Sequence, residues 1–312
     1  MKTYVFALFV LAILPFQMAC ELDGFLDSER YKEDFQYSYN LKPGGKLSIE
    51  NFNGSIEILS WEKDSVQITG TKYAATESDL KDLKIETAAD AGSVRIRTVR
   101  PSEFRRSNMG AKYFIRLPRQ VELERVASSN GSVRVEEVQG SARLETSNGS
   151  VRLRKLAGRL EVKTSNGAIE GEDLECEAVL RTSNGAIRIG RMSGSVDATT
   201  SNGSINVRIG KPGPRQPMRF ESSNGSIEVA FESLADNDVR ANTSNSSITL
   251  RLPAAARARL RAHTSHGSIH SDFDVATKGN TLEKNELDGE IGGGGPLLNL
   301  SSSNGTIRVL KL

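Results

Sequence analysis

Most side chains that could perform chemistry in this chain of 312 residues belong to a repeated pattern. Hydroxyl and amide groups recur in the tetrapeptide Thr-Ser-Asn-Gly, or a near copy of it, every 18 residues through the middle of the sequence. A fixed period of this kind indicates stacked structural repeats, whereas a catalytic threonine would be unique in the chain. The repeated asparagines are Asn130, Asn148, Asn166, Asn184, Asn202, Asn224, Asn245 and Asn304. His266 fills one further place in the series, and Asn53 is an early outlier.

The cysteine and histidine residues do not form a recognisable catalytic set. Cys176 stands in a column of the repeat that Gly140, Gly158 and Gly194 otherwise hold, which predicts a substitution at a turn. A nucleophilic cysteine needs a positioned histidine, and the three histidines, His263, His266 and His270, come about five repeats later. Their spacing does not match that of a zinc site. We therefore expect no metal and no cofactor.

The carboxylates also argue against an enzyme. A glycosidase or polysaccharide lyase needs carboxylates roughly 5 to 10 Å apart. In one column, Glu170 and Glu228 stand three repeats apart, or about 14 Å at a strand spacing of about 4.8 Å. A denser acidic group lies around Glu170, Glu172, Asp173 and Glu175, and we interpret it as a solvated corner. The prediction is a non-catalytic protein.

Charge gives a weaker indication of binding. The 41 basic and 39 acidic residues nearly cancel, so bulk charge does not favour a nucleic-acid partner. The outward positions mix both signs, which is typical of a solvated face. A local basic strip could nevertheless attract an anionic polysaccharide or lipid headgroup. The candidate residues of this strip are Arg134, Arg143, Arg152, Arg154 and Arg159.

Two strands can be placed in each repeat. Apolar residues three and five positions after the Asn alternate with polar ones, as in Val151-Arg152-Leu153, and this period of two is typical of a half-buried strand. A second alternating strand precedes the Asn, with apolar residues four and six positions before it. Each repeat is therefore a strand, an Asn-Gly corner, a strand, an apolar plug and a Gly corner.

Two architectures fit this pattern. Asn-Gly between alternating strands is also a strong hairpin signal, so an antiparallel meander is the alternative. Like residues recur one whole repeat apart, however, and this favours parallel coils stacked in register. We predict an all-β, two-sheet β-solenoid with rungs of 18 to 22 residues. At each corner we expect the Thr to face the core, the Asn amides to form a ladder, and the Gly to supply a positive φ.

The N-terminus has the pattern of an export signal. Lys2 precedes an apolar run from Tyr4 to Leu14 that is too short to span a bilayer. The sequence before Cys20 resembles a lipoprotein cleavage site, although Gln17 stands where Leu is usual. We predict a signal peptide at residues 1–19, lipidation of Cys20 and a partly ordered tether at residues 20–42. Glu21 after Cys20 favours the outer membrane of a bacterium with two membranes.

The rest of the chain divides into a cap and a regular solenoid. Residues 43–125 repeat the pattern loosely, with a short helical turn near Asp79 to Leu83, and are predicted to form the N-terminal cap. Residues 126–312 form the regular rungs, with loops expected at 211–217 and 292–296. The closing strand from Ile307 to Leu312 is a candidate adhesive edge, and it suggests edge-to-edge self-association.

Several of these segments together resemble one known family. An N-terminal Ile-Glu-Asn-Phe-Asn-Gly-Ser-Ile-Glu-Ile, then Tyr113-Phe114-Ile115-Arg116-Leu117-Pro118, then the Ser-Asn-Gly ladder, are similar to DUF4097 proteins, also called putative adhesins. The resemblance covers roughly residues 45 to 312. It implies an exported β-solenoid and supplies no catalytic residues. Ser246 in place of Gly and His266 in place of Asn depart from the pattern and suggest weaker corners.

The expected function is that of a non-catalytic exported lipoprotein with a β-solenoid scaffold. It would be anchored to the membrane by its lipid and would bind an envelope polysaccharide or another protein. A self-assembling structural polymer is the first alternative. A polysaccharide-degrading β-helix enzyme is the less favoured one.

Overall fold

Strands dominate the fold of the protein. The computed structural model describes residues 30–100, 108–277 and 284–312. The predicted signal peptide and Cys20 lie outside these residues. The strands form two stacks, which we call face A, before each Asn-Gly corner, and face B, after it.

Each stack is a ladder of short strands. Face A contains β2 (Gly45–Asn51), β5 (Lys84–Ala89), β6 (Ser93–Val99), β8 (Val121–Ser128), β10 (Gln139–Thr146), β12 (Ala157–Lys163), β14 (Leu174–Arg181), β17 (Met218–Ser222), β19 (Val239–Thr243), β21 (Ala258–Thr264), β23 (Val275–Thr277), β24 (Glu286–Ile291) and β25 (Leu297–Ser302). Face B contains β1 (Tyr31–Asn40), β3 (Ile56–Trp61), β4 (Ser65–Ala74), β7 (Gly110–Pro118), β9 (Val133–Glu136), β11 (Val151–Arg154), β13 (Ile169–Glu172), β16 (Ile205–Pro212), β18 (Ile227–Phe231), β20 (Ile248–Leu252), β22 (Ile269–Ser271) and β26 (Ile307–Lys311).

Two elements stand apart from this scheme. The long strand β15 (Ile187–Thr200) bends around the far corner and belongs to both faces, so the 26 strands of the described residues form one continuous hydrogen-bonded sheet. The single helix described, α1 (Glu77–Asp82), is capped by the Thr76 hydroxyl, which accepts from the Asp79 amide at 3.1 Å. Leu80 fixes the helix by packing into a small apolar cluster. The predicted helical turn is confirmed.

The rungs stack in parallel and in register. Val151 pairs with Val133 on one side and with Ile169 on the other, one whole repeat away in each direction. On face A, Leu144 pairs with Val162 in the same way. The antiparallel meander is therefore excluded for the repeats, and the predicted β-solenoid is confirmed. We name each rung by the Asn at its corner.

The core lies between the two faces. The inward residues of both faces are almost completely buried, as the alternation predicted. The apolar plugs Val138, Leu156, Leu174 and Met192 fill the core at the far corner and are also buried. The Asn224 rung places two aromatic side chains in the core, Phe220 and Phe231, and both are fully buried. The core is thus a stack of equivalent aliphatic layers.

Rung order in space differs from order in sequence at both ends. The Asn53 rung, β2 and β3, lies between the β6–β7 rung and the Asn130 rung of β8 and β9. At the other end, β25 and β26 lie between the Asn245 rung and the His266 rung. The predicted adhesive edge at Ile307 to Leu312 is therefore wrong, because β26 has a neighbour on each side.

Other strands cover the two ends of the core. At the N-terminal end, β1 extends face B and β5 extends face A, and the Tyr39 hydroxyl meets the Thr87 hydroxyl at 2.6 Å across the end. Residues 31–40 were predicted to belong to a tether but form β1. At the other end, β24 pairs antiparallel with β21, β23 pairs antiparallel with β24, and Phe273 packs against the core. The predicted loop at 211–217 begins later, because Lys211 and Pro212 still belong to β16.

Candidate functional site

The Asn-Gly corner forms a continuous amide ladder along one edge of the solenoid. Each Asn Nδ2 donates to the Oδ1 of the Asn in the neighbouring rung, for example Asn166 to Asn148 and Asn184 to Asn166, both at 2.7 Å. The ladder was predicted from Asn130 onward, but it begins at Asn53, to which Asn130 donates at 2.5 Å. Its last step is the donation from Asn304 to Asn245 at 2.8 Å. These amides therefore bind one another.

The threonines before the corner act as bridges between rungs. The Thr164 hydroxyl donates to the Gly149 carbonyl of the previous rung at 3.1 Å and accepts from the Gly167 amide of its own rung at 3.2 Å. Only 3% of Thr164 is exposed. The same two bonds recur at most rungs, with Ser222 or Ser302 replacing Thr in two of them. The prediction that these side chains face the core is confirmed.

The glycine of the corner has a different role from the one predicted. Among the corner glycines, only Gly54 has a positive φ, of 108°. At Gly149, Gly167, Gly185 and their equivalents, a Cβ would instead lie well inside van der Waals contact of the glycine carbonyl oxygen one rung back. The residue is small because backbones approach closely there. The prediction of a positive φ at the Asn-Gly corner is therefore wrong for the regular rungs.

Left-handed backbone occurs instead at the far corner. Glu137, Lys155 and Asp173 have φ of 60°, 53° and 53°, and Gly140, Gly158 and Gly194 have positive φ as well. In space, the first three stand between Arg119 and Arg191, so charges alternate in sign along this corner. Lys155 binds Glu137 at 3.0 Å, Arg191 lies 3.7 Å from Asp173, and Arg119 binds Glu62 at 3.2 Å. Most of these side chains line a shallow groove of about 480 Å³, and their charges largely neutralise one another.

The five arginines of the predicted basic strip do not form one surface. Arg134, Arg152 and Arg154 project from face B, whereas Arg143 and Arg159 belong to face A. Each of the five also lies beside a carboxylate. Arg134 and Arg154 share Glu136, Arg152 binds Glu170 at 3.2 Å, and Arg159 lies 3.5 Å from Glu177. The prediction of one continuous basic strip is therefore wrong.

Glu136 is the most enclosed carboxylate of these pairs. Its side chain is 9% exposed and lies between Arg134 and Arg154. The hydrogen bond from Arg154 holds the pKa of Glu136 below its usual range, and that from Arg134 acts in the same direction against the effect of burial. A lowered pKa of this origin indicates a structural ion pair. Glu136 is not a candidate acid or base.

A different groove on face A is lined by four cations and three carboxylates, and we call it the face A groove. It measures about 690 Å³ and follows the outer side of β2, β8, β10, β12 and β14 beside the exposed corner serines. At one end, Arg125 binds Glu50 at 2.5 Å and Glu145 at 3.1 Å, and Arg143 binds Glu145 at 2.9 Å. The arginines at this end are therefore held by carboxylates.

At the other end of the face A groove, two cations are neighbours. Lys163 and Arg181 pair in register on β12 and β14. Arg181 lies 3.4 Å from Asp197. Lys163 has Glu145 as its register partner on β10, but it forms no ion pair with any described residue. Like charges directly opposite each other on adjacent strands are destabilising. An anionic group bound between them would relieve this repulsion.

Cys176 is buried where the far corner meets face A. Its side chain is 5% exposed, and burial raises its pKa to about 12, so the thiol is protonated at neutral pH. Gly158 and Gly194 are its register partners, as the column predicted. A surface groove of about 520 Å³ passes beside it, and Gln216 from the following loop closes this groove by binding Glu177 at 2.8 Å.

The remaining candidates for chemistry lie apart from one another. Glu170 and Glu228 occupy one column with Arg188 and Asn206 between them. Glu170 itself lies between Arg152 and Arg188. Within residues 30–100, 108–277 and 284–312, no group of histidine, cysteine and acidic side chains could hold a metal ion. Of the histidines, His270 lies 3.4 Å from Asp272.

The fold and the corner chemistry define a parallel β-solenoid whose repeated polar side chains hold the rungs together. The chain belongs to the Toastrack DUF4097 family, which it matches over residues 38–310. A search of curated proteins finds no match.

The solved structures that match this chain are distant in sequence. A putative adhesin from Parabacteroides distasonis is 10% identical, with a TM-score of 0.44 over 89% of this chain and 97% of that one. A putative adhesin from Bacteroides fragilis is 14% identical, with a TM-score of 0.37 over 89% and 97%. A putative lipid binding protein from Parabacteroides distasonis is 13% identical, with a TM-score of 0.42 over 89% and 96%. Likenesses this distant do not assign a function.

Across the three described segments, no helix has the length and apolar character that crossing a bilayer requires.

Proposed function

We propose that this protein is a non-catalytic binding scaffold of the bacterial cell envelope and that it holds anionic partner groups in the face A groove. The observation that carries the proposal is the pairing of Lys163 with Arg181 on adjacent strands, while Lys163 forms no ion pair with Glu145, its other register partner, or with any other described residue. A carboxylate or phosphate placed there would gain charge-assisted hydrogen bonds. The hydroxyls and amides of the repeat are already used between rungs, which supports a binding role over a catalytic one.

The shape of the groove favours an extended partner. It runs across five strands that are spaced about 4.8 Å apart, and it is open along its length. Exposed Ser129, Ser147 and Ser165 line the side of it nearest the Asn-Gly corner. Cations and hydroxyls along a line suit an acidic polysaccharide better than a compact small molecule. An acidic protein segment is the alternative partner.

Binding is tested with an array of anionic and neutral glycans. The variant Lys163→Gln with Arg181→Gln is expected to lose about tenfold or more in affinity for the anionic glycans, because hydrogen bonds to charged groups contribute about 1.5 to 3 kcal/mol each. The matched control, Arg188→Gln with Arg208→Gln, removes the same charge from face B and should bind like the wild type. Equal losses in the two variants would contradict a site in the face A groove.

We further propose that Cys20 carries a lipid and that this lipid anchors the binding scaffold to a membrane of the cell envelope. Support comes from the basic start, the short apolar run and the small residue before Cys20. Cys20→Ser is expected to move the protein from the membrane fraction to the soluble periplasmic fraction. Cys176→Ser is the control and should remain with the membrane. Continued membrane association of Cys20→Ser would contradict the anchor.

A further inference from the structure

The C-terminal rung lies in a slot between two rungs that precede it in sequence. On face B, β26 pairs with β20 through five residue pairs and with β22 through three. On face A, β25 pairs with β19 and with β21. The inward side chains Leu298, Leu300, Ile307 and Val309 are fully buried there. The chain therefore completes its core with its last residues.

The slot recognises the rung by the same contacts that join all the others. Asn304 donates to Asn245 at 2.8 Å, and the Ser302 hydroxyl donates to the Ser246 carbonyl at 3.0 Å. On the other wall, the Thr264 hydroxyl donates to the Gly305 carbonyl at 2.9 Å. None of these contacts depends on the chain that connects the rung to the slot. Any copy of the same rung can make them.

The connection between β24 and β25 is short and turns sharply. Ile291 ends β24 on one side of β21, and Leu297 begins β25 on the other, so residues 292–296 must cross the start of β21. Gly292, Gly293 and Gly294 have φ of 59°, 84° and 86°, a conformation that glycine adopts readily. A glycine-rich connection of this kind can also open into an extended hinge.

We propose that the slot binds a Ser-Asn-Gly rung supplied in trans, and that the partner is the C-terminal rung of a second copy of this chain. Reciprocal exchange of residues 297–312 would give a two-fold dimer in which every contact between the rung and the slot is kept. The walls of the slot are complete before its occupant is available, because β19 to β22 precede β25 in sequence. A rung from a neighbouring molecule therefore competes directly with the chain's own. This inference is independent of the face A groove.

Cysteine pairs in separate chains test the exchange. Thr249 and Arg308 are register partners on β20 and β26, and both side chains point outward. One full-length chain carries Thr249→Cys and the other Arg308→Cys, both with Cys20→Ser. The buried Cys176 is retained. The two chains are mixed, unfolded and refolded together at high concentration under mild oxidation. A disulfide-linked heterodimer is expected, because the two cysteines meet only when the rung of one chain enters the slot of the other.

The matched control pair is Arg152→Cys with Glu170→Cys, which are also register partners on adjacent face B strands but lie in the central rungs. The heterodimer yield of the slot pair should exceed that of the control severalfold and should rise with protein concentration. Equal yields for the two pairs would overturn the proposal. A single chain carrying both Thr249→Cys and Arg308→Cys should form an internal disulfide when refolded dilute, and failure to do so would also overturn it.

Discussion

Gly167→Ala is expected to destabilise the protein by about 3 kcal/mol or more, at the upper end of what overpacking costs. The added Cβ would lie well inside van der Waals contact of the Gly149 carbonyl oxygen. That oxygen cannot move away, because it accepts the Thr164 hydroxyl and lies between stacked rungs. The effect is measured as the free energy of unfolding in urea at neutral pH.

The matched control for this substitution is Gly92→Ala. A Cβ at Gly92 would have no heavy atom within 4 Å, and its backbone φ is not left-handed. We expect a change of less than about 0.5 kcal/mol, as for ordinary surface substitutions. If Gly167→Ala were no worse than Gly92→Ala, close approach of the backbones could not be the reason for glycine at the corner.

Thr164→Val is expected to cost about 2 to 3 kcal/mol, although the two side chains have almost the same shape. The substitution leaves the Gly149 carbonyl and the Gly167 amide without the hydroxyl that now satisfies both. Each buried polar group left without a partner costs about 1 to 3 kcal/mol. The measurement is again urea unfolding, and the fluorescence of Trp61 in the N-terminal rung can report it.

Thr164→Ser is the internal control, since serine already performs this role at Ser222 and Ser302. It keeps the hydroxyl and removes only a methyl group, so most of the stability should remain. A loss as large as that of Thr164→Val would show that methyl packing, and not the bridging hydroxyl, accounts for threonine in this column.

The regular rungs could be predicted from the sequence because each position repeats its environment. The alternation around Val151 and Leu153 gave the correct inward faces, and the recurrence of Asn148 and Asn166 gave the amide ladder. The reason for Gly167 was predicted incorrectly. The sequence shows that the residue is glycine. Whether glycine is needed for a positive φ or for the close approach of a neighbouring backbone depends on the distance between rungs, which the sequence does not show.

Rung order at the ends could not be predicted. Every Ser-Asn-Gly rung presents the same donor side and the same acceptor side, so nothing in the residues around Asn304 or Asn53 specifies which neighbours they have. The site was missed for a related reason. The predicted basic strip grouped arginines by their distance in sequence, whereas Lys163 and Arg181 became neighbours through stacking of rungs 18 residues apart. Their significance depends on which cations form ion pairs, and this requires the positions of the side chains.

The central rungs are equivalent to one another, whereas the rungs at both ends are interleaved. This difference determines where the sequence could gain or lose a rung. The central rungs have interchangeable neighbours, so one 18-residue unit could be duplicated or lost between Asn130 and Asn202 while both interleaved ends stay intact. Each such event would change the height of the molecule by about 4.8 Å. The fold is in this sense that of a spacer. The number of central rungs sets the distance between its two ends in fixed steps, and an added rung needs no new kind of contact between rungs.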